Sequence, residues 1–162
     1  MTEPHPGPLR VALIGYGLAG SVFHAPLIDA ASGLELATIV TSNSERQAQA
    51  RSEHPTARVV ASADEVWERA GELDLAVVAT PNRTHLPLAT AALQAGLAVV
   101  VDKPLTATAA QAAGLAQLAA KQGVMLSVYQ NRRWDGDFLT LRSLIDEGEL
   151  GEVRRLESRF ER

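Results

Sequence analysis

The chain has 162 residues, a formal net charge of -4, 46% hydrophobic and 21% charged residues, and no cysteine. The length suits one domain with a full core, since about 100 to 200 residues is usual, and leaves little room for two. Disulfides, thiolate catalysis and sulfur-bound zinc are excluded, no apolar run approaches the roughly 18 residues of a membrane span, and a mildly acidic chain without a basic tract is a poor partner for nucleic acid.

In chain order, MTEPHPGP has neither the basic start nor the apolar centre of a signal peptide. Residues 1–8 read as a disordered lead, and the cytoplasm is the default compartment. From Leu9 onward apolar runs alternate with amphipathic segments, the pattern of a parallel sheet with helical crossovers. Strands are predicted at 9–14, 34–40, 57–60, 74–79, 97–101 and 124–128; LRVALI and DLAVVA are continuous apolar runs, as expected of strands covered on both faces. The fold class is therefore α/β, a doubly wound parallel sheet of six strands.

Helix starts are marked by Ser44 with Gln47, Ser62 with Glu65 and Thr108 with Gln111, each spaced as a capping box. Gly96 and Gly123 fall between a helical segment and the next strand, where a left-handed residue suits the helix end. The alanine-rich 107–120 stretch is a good helix former with small side chains for close packing on a sheet. A last helix is expected from about Phe138 to Glu147, and Gly148 and Gly151 flank a turn. GEVRRLESRFER then has the alternation of a further strand, with Leu156, Ser158 and Phe160 on one face and no partner in the sequence.

Directly after the first strand comes GYGLAG, comprising Gly15, Tyr16, Gly17, Leu18, Ala19 and Gly20. It supplies the G-x-G-x-x-G spacing in the context that gives it meaning, between a strand and a helix. Gly15 serves the tight turn, Gly17 lets backbone approach a pyrophosphate, and Gly20 lets helix pack on strand, while the helix start offers free amides to phosphate. The alternative is a tight turn with no ligand. At the tip of the second strand an acidic residue would bond a ribose 2′-hydroxyl. Here Thr41, Ser42, Asn43 and Ser44 stand in that place with Arg46 close behind, which suits a 2′-phosphate. NADP is the expected cofactor and NAD the alternative; a plainer account has these residues only capping the next helix.

Three further segments end strands on the side where open parallel sheets bind ligands. TPNRTH carries Thr80, Pro81, Asn82 and His85; DKP carries Asp102, Lys103 and Pro104; and YQNRRWDGDF carries Asn131, Arg132, Arg133, Trp134 and Asp135. Taken singly, a helix-starting turn, a surface histidine and a solvated arginine pair explain the first and third. Lys103 is the most informative: at a strand tip beside a cofactor cleft its ammonium can hold a substrate hydroxyl and stabilise a developing alkoxide. Burial would tune it, and Asp102 would orient it. No metal-ligand set is expected.

Together, GYGLAGS-x-FHAPLI, TPN-x-TH, DKP and YQNRRWDGDF resemble the Gfo/Idh/MocA oxidoreductase family over essentially the whole chain from Leu9. The resemblance implies a Rossmann domain at 9–128 followed, from 129 to 162, by an active-site loop, a helix and the first strand of a C-terminal α/β domain. It implies that Lys103 contacts both substrate and nicotinamide. Pro81, Asn82 and His85 match the segment lining the cofactor, and Arg132 with Trp134 match the loop beside the nicotinamide, where Asn131 is a candidate substrate contact. Asp102 departs from the family's usual glutamate. Members run to about twice this length, more than one domain's range, and carry a catalytic histidine in the C-terminal domain, so the chain is expected to be truncated before it. The activity implied is hydride transfer to or from a polyol, sugar or related secondary alcohol by a homo-oligomer. A non-catalytic nucleotide-binding regulator and an NAD-assisted glycosidase are the alternatives.

Overall fold

The structure is a computed structural model that describes residues 7–159 and residue 161. Six strands form one sheet in the order β3-β2-β1-β4-β5-β6, with every pairing parallel. They are β1 (Leu9–Ile14), β2 (Leu34–Val40), β3 (Arg58–Val60), β4 (Leu75–Val78), β5 (Ala98–Asp102) and β6 (Leu126–Tyr129). All six expected strands are present, each within two residues of its expected bounds. The helices are α1 (Ala25–Ala30), α2 (Ser44–Glu53), α3 (Asp64–Trp67), α4 (His85–Gln94), α5 (Ala109–Gln122) and α6 (Gly136–Asp146).

Side chains alternate across the sheet, so each strand feeds two cores. Ala12, Ile14, Ala76, Val78, Val99 and Val101 pack with Val66 of α3, Ala89 and Leu93 of α4, and Leu115 and Ala119 of α5. Val11, Leu13, Leu36, Ile39, Leu75 and Val77 pack with Ala25 and Ile28 of α1 and Ala50 of α2. Burying a side chain of this size is worth roughly 1.5–3 kcal/mol. Covering both faces explains why Val11 to Ile14 of β1 and all of β4 read as unbroken apolar runs. The chain adds β2 and β3 on one side of β1, then crosses to add β4, β5 and β6 on the other. A crevice therefore opens at the carboxyl ends of β1 and β4.

Local chemistry departs from expectation at four places. The α2 start is capped by Asn43, whose Oδ1 accepts from the Arg46 amide at 2.9 Å, so Ser44 is the first helical residue and not the cap. Gln47 accordingly reaches the Thr41 carbonyl instead of Ser44. The glycine turn enters a wide π turn over Ala19–His24 before α1, with the Ala25 amide donating to the Gly20 carbonyl. The last helix begins at Gly136, because Asp135 already has extended backbone in the position ahead of it.

The strand expected in GEVRRLESRFER is corrected: residues 152–159 carry no strand. A strand exists through its ladder, and among the described residues none pairs with this segment. Phe160 and residues 1–6 of the expected lead lie outside the described residues. The other signals hold: Thr108 caps α5 by accepting from the Gln111 amide, Glu65 accepts from the Ser62 amide, and Gly96 and Gly123 have φ of 80° and 69°. The chain divides into two compact units, Met1–Tyr129 and Gln130–Arg162. Among the described residues no helix is long and apolar enough to cross a membrane.

Candidate cofactor and active site

The first unit's site is built where β1, β2, β4 and β5 end. Gly15 leaves β1 with φ of 102°, and a methyl group there would stand on the Ala79 carbonyl oxygen at the end of β4. Gly20 has no room either, since its Cβ would meet the Gly15 carbonyl oxygen, with Leu13 Cδ2 at 3.8 Å beyond it. Both glycines are demanded by close backbone approach. Gly17 differs: the nearest atom to a Cβ there is Arg46 Nη1 at 3.5 Å. The space above Gly17 is thus bounded by a guanidinium and by no backbone. Leu18 is exposed and Ala19 half-buried, so the turn presents main chain to the crevice.

Tyr16 does not present its ring there. It is 2% exposed, donates from its hydroxyl to Glu53 Oε2 at 2.5 Å, and meets the His54 ring edge-on at 5.9 Å. His54 in turn pairs with Asp29 at 2.8 Å. Burial above all, and then the bond to Glu53 and the charges of Glu53 and Asp29, push the Tyr16 phenol above its ordinary range. As a cofactor contact Tyr16 is therefore limited to its backbone.

At the β2 tip Thr41 is nearly buried, its amide donating to Val60 and its carbonyl accepting from Gln47. Ser42, Ser44 and Arg46 are exposed. Among the described residues the Arg46 guanidinium makes no hydrogen bond or ion pair. Exposed hydroxyls with an uncommitted guanidinium over a glycine form a basic donor set of the kind that takes a phosphate dianion.

After β4, Thr80 and Thr84 join hydroxyls at 2.8 Å, and Pro81 and Asn82 are exposed in a tight turn. His85 is not a surface histidine: it is 0% exposed, with Nδ1 2.8 Å from the Pro104 carbonyl oxygen and Nε2 2.8 Å from that of Thr80. Carbonyls only accept, so the neutral ring donates to one of them and the doubly protonated ring to both. The ring is therefore closed off as a direct ligand and ties the ends of β4 and β5 together.

At the end of β5, Asp102 and Lys103 separate. β5 stops at Asp102, and the Asp102 carboxylate goes to His24, with Oδ1 2.8 Å from Nε2. Asp102 therefore makes no direct bond to Lys103. Lys103 is exposed, not buried, and among the described residues its ammonium has no hydrogen bond or ion pair. His24, 4% exposed at the end of the π turn, packs its ring on Tyr129, centroids 4.3 Å apart. Burial, and after it the Asp102 charge, raise the Tyr129 phenol above its ordinary value. Sequence reasoning passed over His24; its signal was a lone histidine in the apolar run SVFHAPLI, which once buried needs a polar partner.

Asn131, Arg132 and Trp134 belong to the second unit. There residues 131–134 form a short tight turn in which Arg132 pairs with Asp135 at 2.9 Å, Arg133 donates to Gln130, and Trp134 is exposed.

A parallel sheet with a glycine turn at its switch point defines a nucleotide-binding α/β domain. The chain belongs to the Gfo/Idh/MocA oxidoreductases, the oxidoreductase family with an NAD-binding Rossmann fold, whose sequence model matches residues 9–130. It is 51% identical over 154 residues to the uncharacterised oxidoreductase YdgJ of Escherichia coli, covering 95% of this chain and 43% of that protein. It is 40% identical over 154 residues to the scyllo-inositol 2-dehydrogenase (NADP(+)) IolW of Bacillus subtilis, covering 95% and 42%. Among solved structures, GenD2 from gentamicin A biosynthesis, in complex with NAD, superposes with a TM-score of 0.80 at 31% identity, covering 88% of this chain and 40% of that one. The chain spans less than half the length of these relatives.

Proposed function

We propose that the chain is the cofactor domain of an NADP-dependent dehydrogenase acting on a polyol, sugar or related secondary alcohol. The observation that carries this is the uncommitted Arg46 guanidinium over Gly17, on the same sheet edge as an uncommitted Lys103. The amides of Gly17, Leu18 and Ala19 face the pyrophosphate, and Ser42, Ser44 and Arg46 hold the 2′-phosphate. Thr80, Pro81 and Asn82 line the way to the nicotinamide, which when bound supplies or accepts the hydride. Lys103 donates to the substrate oxygen and steadies negative charge on it, in reduction giving it the proton that completes the alcohol and in oxidation taking that proton up as the neutral amine.

The NADP assignment of the Bacillus relative's name favours the phosphate reading, whereas GenD2 with NAD keeps the other dinucleotide as the competing ligand. The same reading makes the protein cytoplasmic, with a small-molecule substrate met in part by a further domain, and a homo-oligomer. The test is NADP reduction by the complete gene product against a panel of cyclic and linear polyols. Lys103→Met lowers kcat by about a hundredfold or more, the scale of losing one charge-stabilising donor, while the cofactor Kd stays within about threefold, since the lysine is assigned to the reacting end. Turnover unchanged by Lys103→Met contradicts the proposal and points to a non-catalytic nucleotide-binding module.

A further inference from the structure

Lys103 stands between two residues that are each fixed by a buried histidine. On its amino side Asp102 is bonded to His24, which comes from the turn that follows the glycine loop. On its carboxyl side the Pro104 carbonyl lies 2.8 Å from His85, whose other nitrogen meets the Thr80 carbonyl at the end of β4. Both rings are at most 4% exposed, so neither touches ligand directly. We infer that His24 and His85 are positioning residues for Lys103, a bracket that sets where its ammonium stands relative to bound cofactor. This rests on the assignment of Lys103 to the nicotinamide end of the site.

The physical case is one of freedom removed. An exposed lysine carries about 2 kcal/mol of rotamer entropy, and its own ammonium is anchored to nothing among the described residues. Its reach is therefore set by where the backbone puts its Cα, the first residue past the end of β5 at Asp102. Asp102 is also paired with Tyr129 in the β5–β6 register, and its side chain is bonded to His24, so the carboxylate is withdrawn from the lysine. Pairing the acid with histidine leaves the ammonium's donors available to a substrate oxygen. The three bonds reach three different structural neighbours, the glycine-turn helix, the β4 end and α4, so cofactor loop and lysine are set in one frame.

Lysine acylation read by mass spectrometry tests this on the chain itself, because its only other lysine, Lys121, lies exposed on α5 and serves as the internal reference. In the wild type, saturating NADPH lowers Lys103 labelling at least about fivefold relative to Lys121, as a held ammonium is shielded by bound ligand. In His24→Ala, Asp102→Asn and His85→Ala that protection falls below about twofold with NADPH still saturating by fluorescence and circular dichroism unchanged. His24→Gln, whose amide N–H can still donate to Asp102, recovers part of it, which a packing role alone does not predict. If His85→Ala does not fold, the His24 and Asp102 variants decide. Protection equal to wild type in those variants overturns the bracket while leaving the Lys103 assignment standing. No protection in the wild type removes the Lys103 assignment and the bracket with it.

Discussion

Single atoms decide much of this site. A methyl group at Gly20 would stand on the Gly15 carbonyl, and forcing one in costs about 1–3 kcal/mol, the usual range for overpacking. Gly20→Ala is expected to lower the urea midpoint accordingly and to weaken NADPH binding, whereas Gly17→Ala meets only the movable Arg46 side chain and spares stability. The Tyr16–Glu53 pair carries a pH dependence of definite sign. Bonds from Tyr16 and Gln49, and then the His54 charge, hold the Glu53 carboxyl below its ordinary 4.5; burial, first, and Glu53 hold the Tyr16 phenol above its ordinary 10.0. A depressed carboxyl stabilises the fold above its unfolded pKa and loses that contribution as pH falls; a raised phenol stabilises below its unfolded pKa and loses it as pH rises. The stability gap between wild type and Tyr16→Phe is therefore widest from about pH 5 to about pH 9 and narrows on either side, as denaturant melts across pH will show. The demand for glycine at Gly15 and Gly20 was legible in the sequence because it is set by neighbours in the chain. Where Tyr16 and Asp102 point was not, because their partners Glu53 and His24 lie 37 and 78 residues away.

Elements were legible in proportion to how locally they are determined. β1 and β2 match their apolar runs at both ends, since burial on both faces writes itself into every position. Capping is shared among neighbouring small polar residues, so Asn43 could displace Ser44 at no cost in sequence pattern. The segment 152–159 has strand alternation and no strand, because a ladder partner is a fact about another part of the chain. Each helix that covers the sheet is held by its inward face. Leu93 of α4 is wholly buried in the core with Val99 and Val101, and Leu93→Ala is expected to cost about 2–5 kcal/mol. Met125, exposed just before β6, is the contrast, with Met125→Ala within about 0.5 kcal/mol. Chemical denaturation of the two variants checks the difference.

At the scale of the molecule, the strand order places four strand ends along one edge, and residues separated by most of the first unit's length are gathered there: the glycine turn, Arg46, Thr80 to Asn82, and Lys103. That convergence was legible from the alternation of strands and helices, since an open parallel sheet gathers its carboxyl ends on one edge. The proposed preference for NADPH rests on Arg46 standing over Gly17 with its guanidinium uncommitted among the described residues. Equilibrium titration of the chain with NADPH and NADH, repeated for Arg46→Ala, is the most direct test. The wild type is expected to prefer NADPH by at least about tenfold, ~1.4 kcal/mol, and Arg46→Ala to lose most of that preference while binding NADH as before. Equal affinities in the wild type, or a preference for NADPH that survives Arg46→Ala, would contradict it.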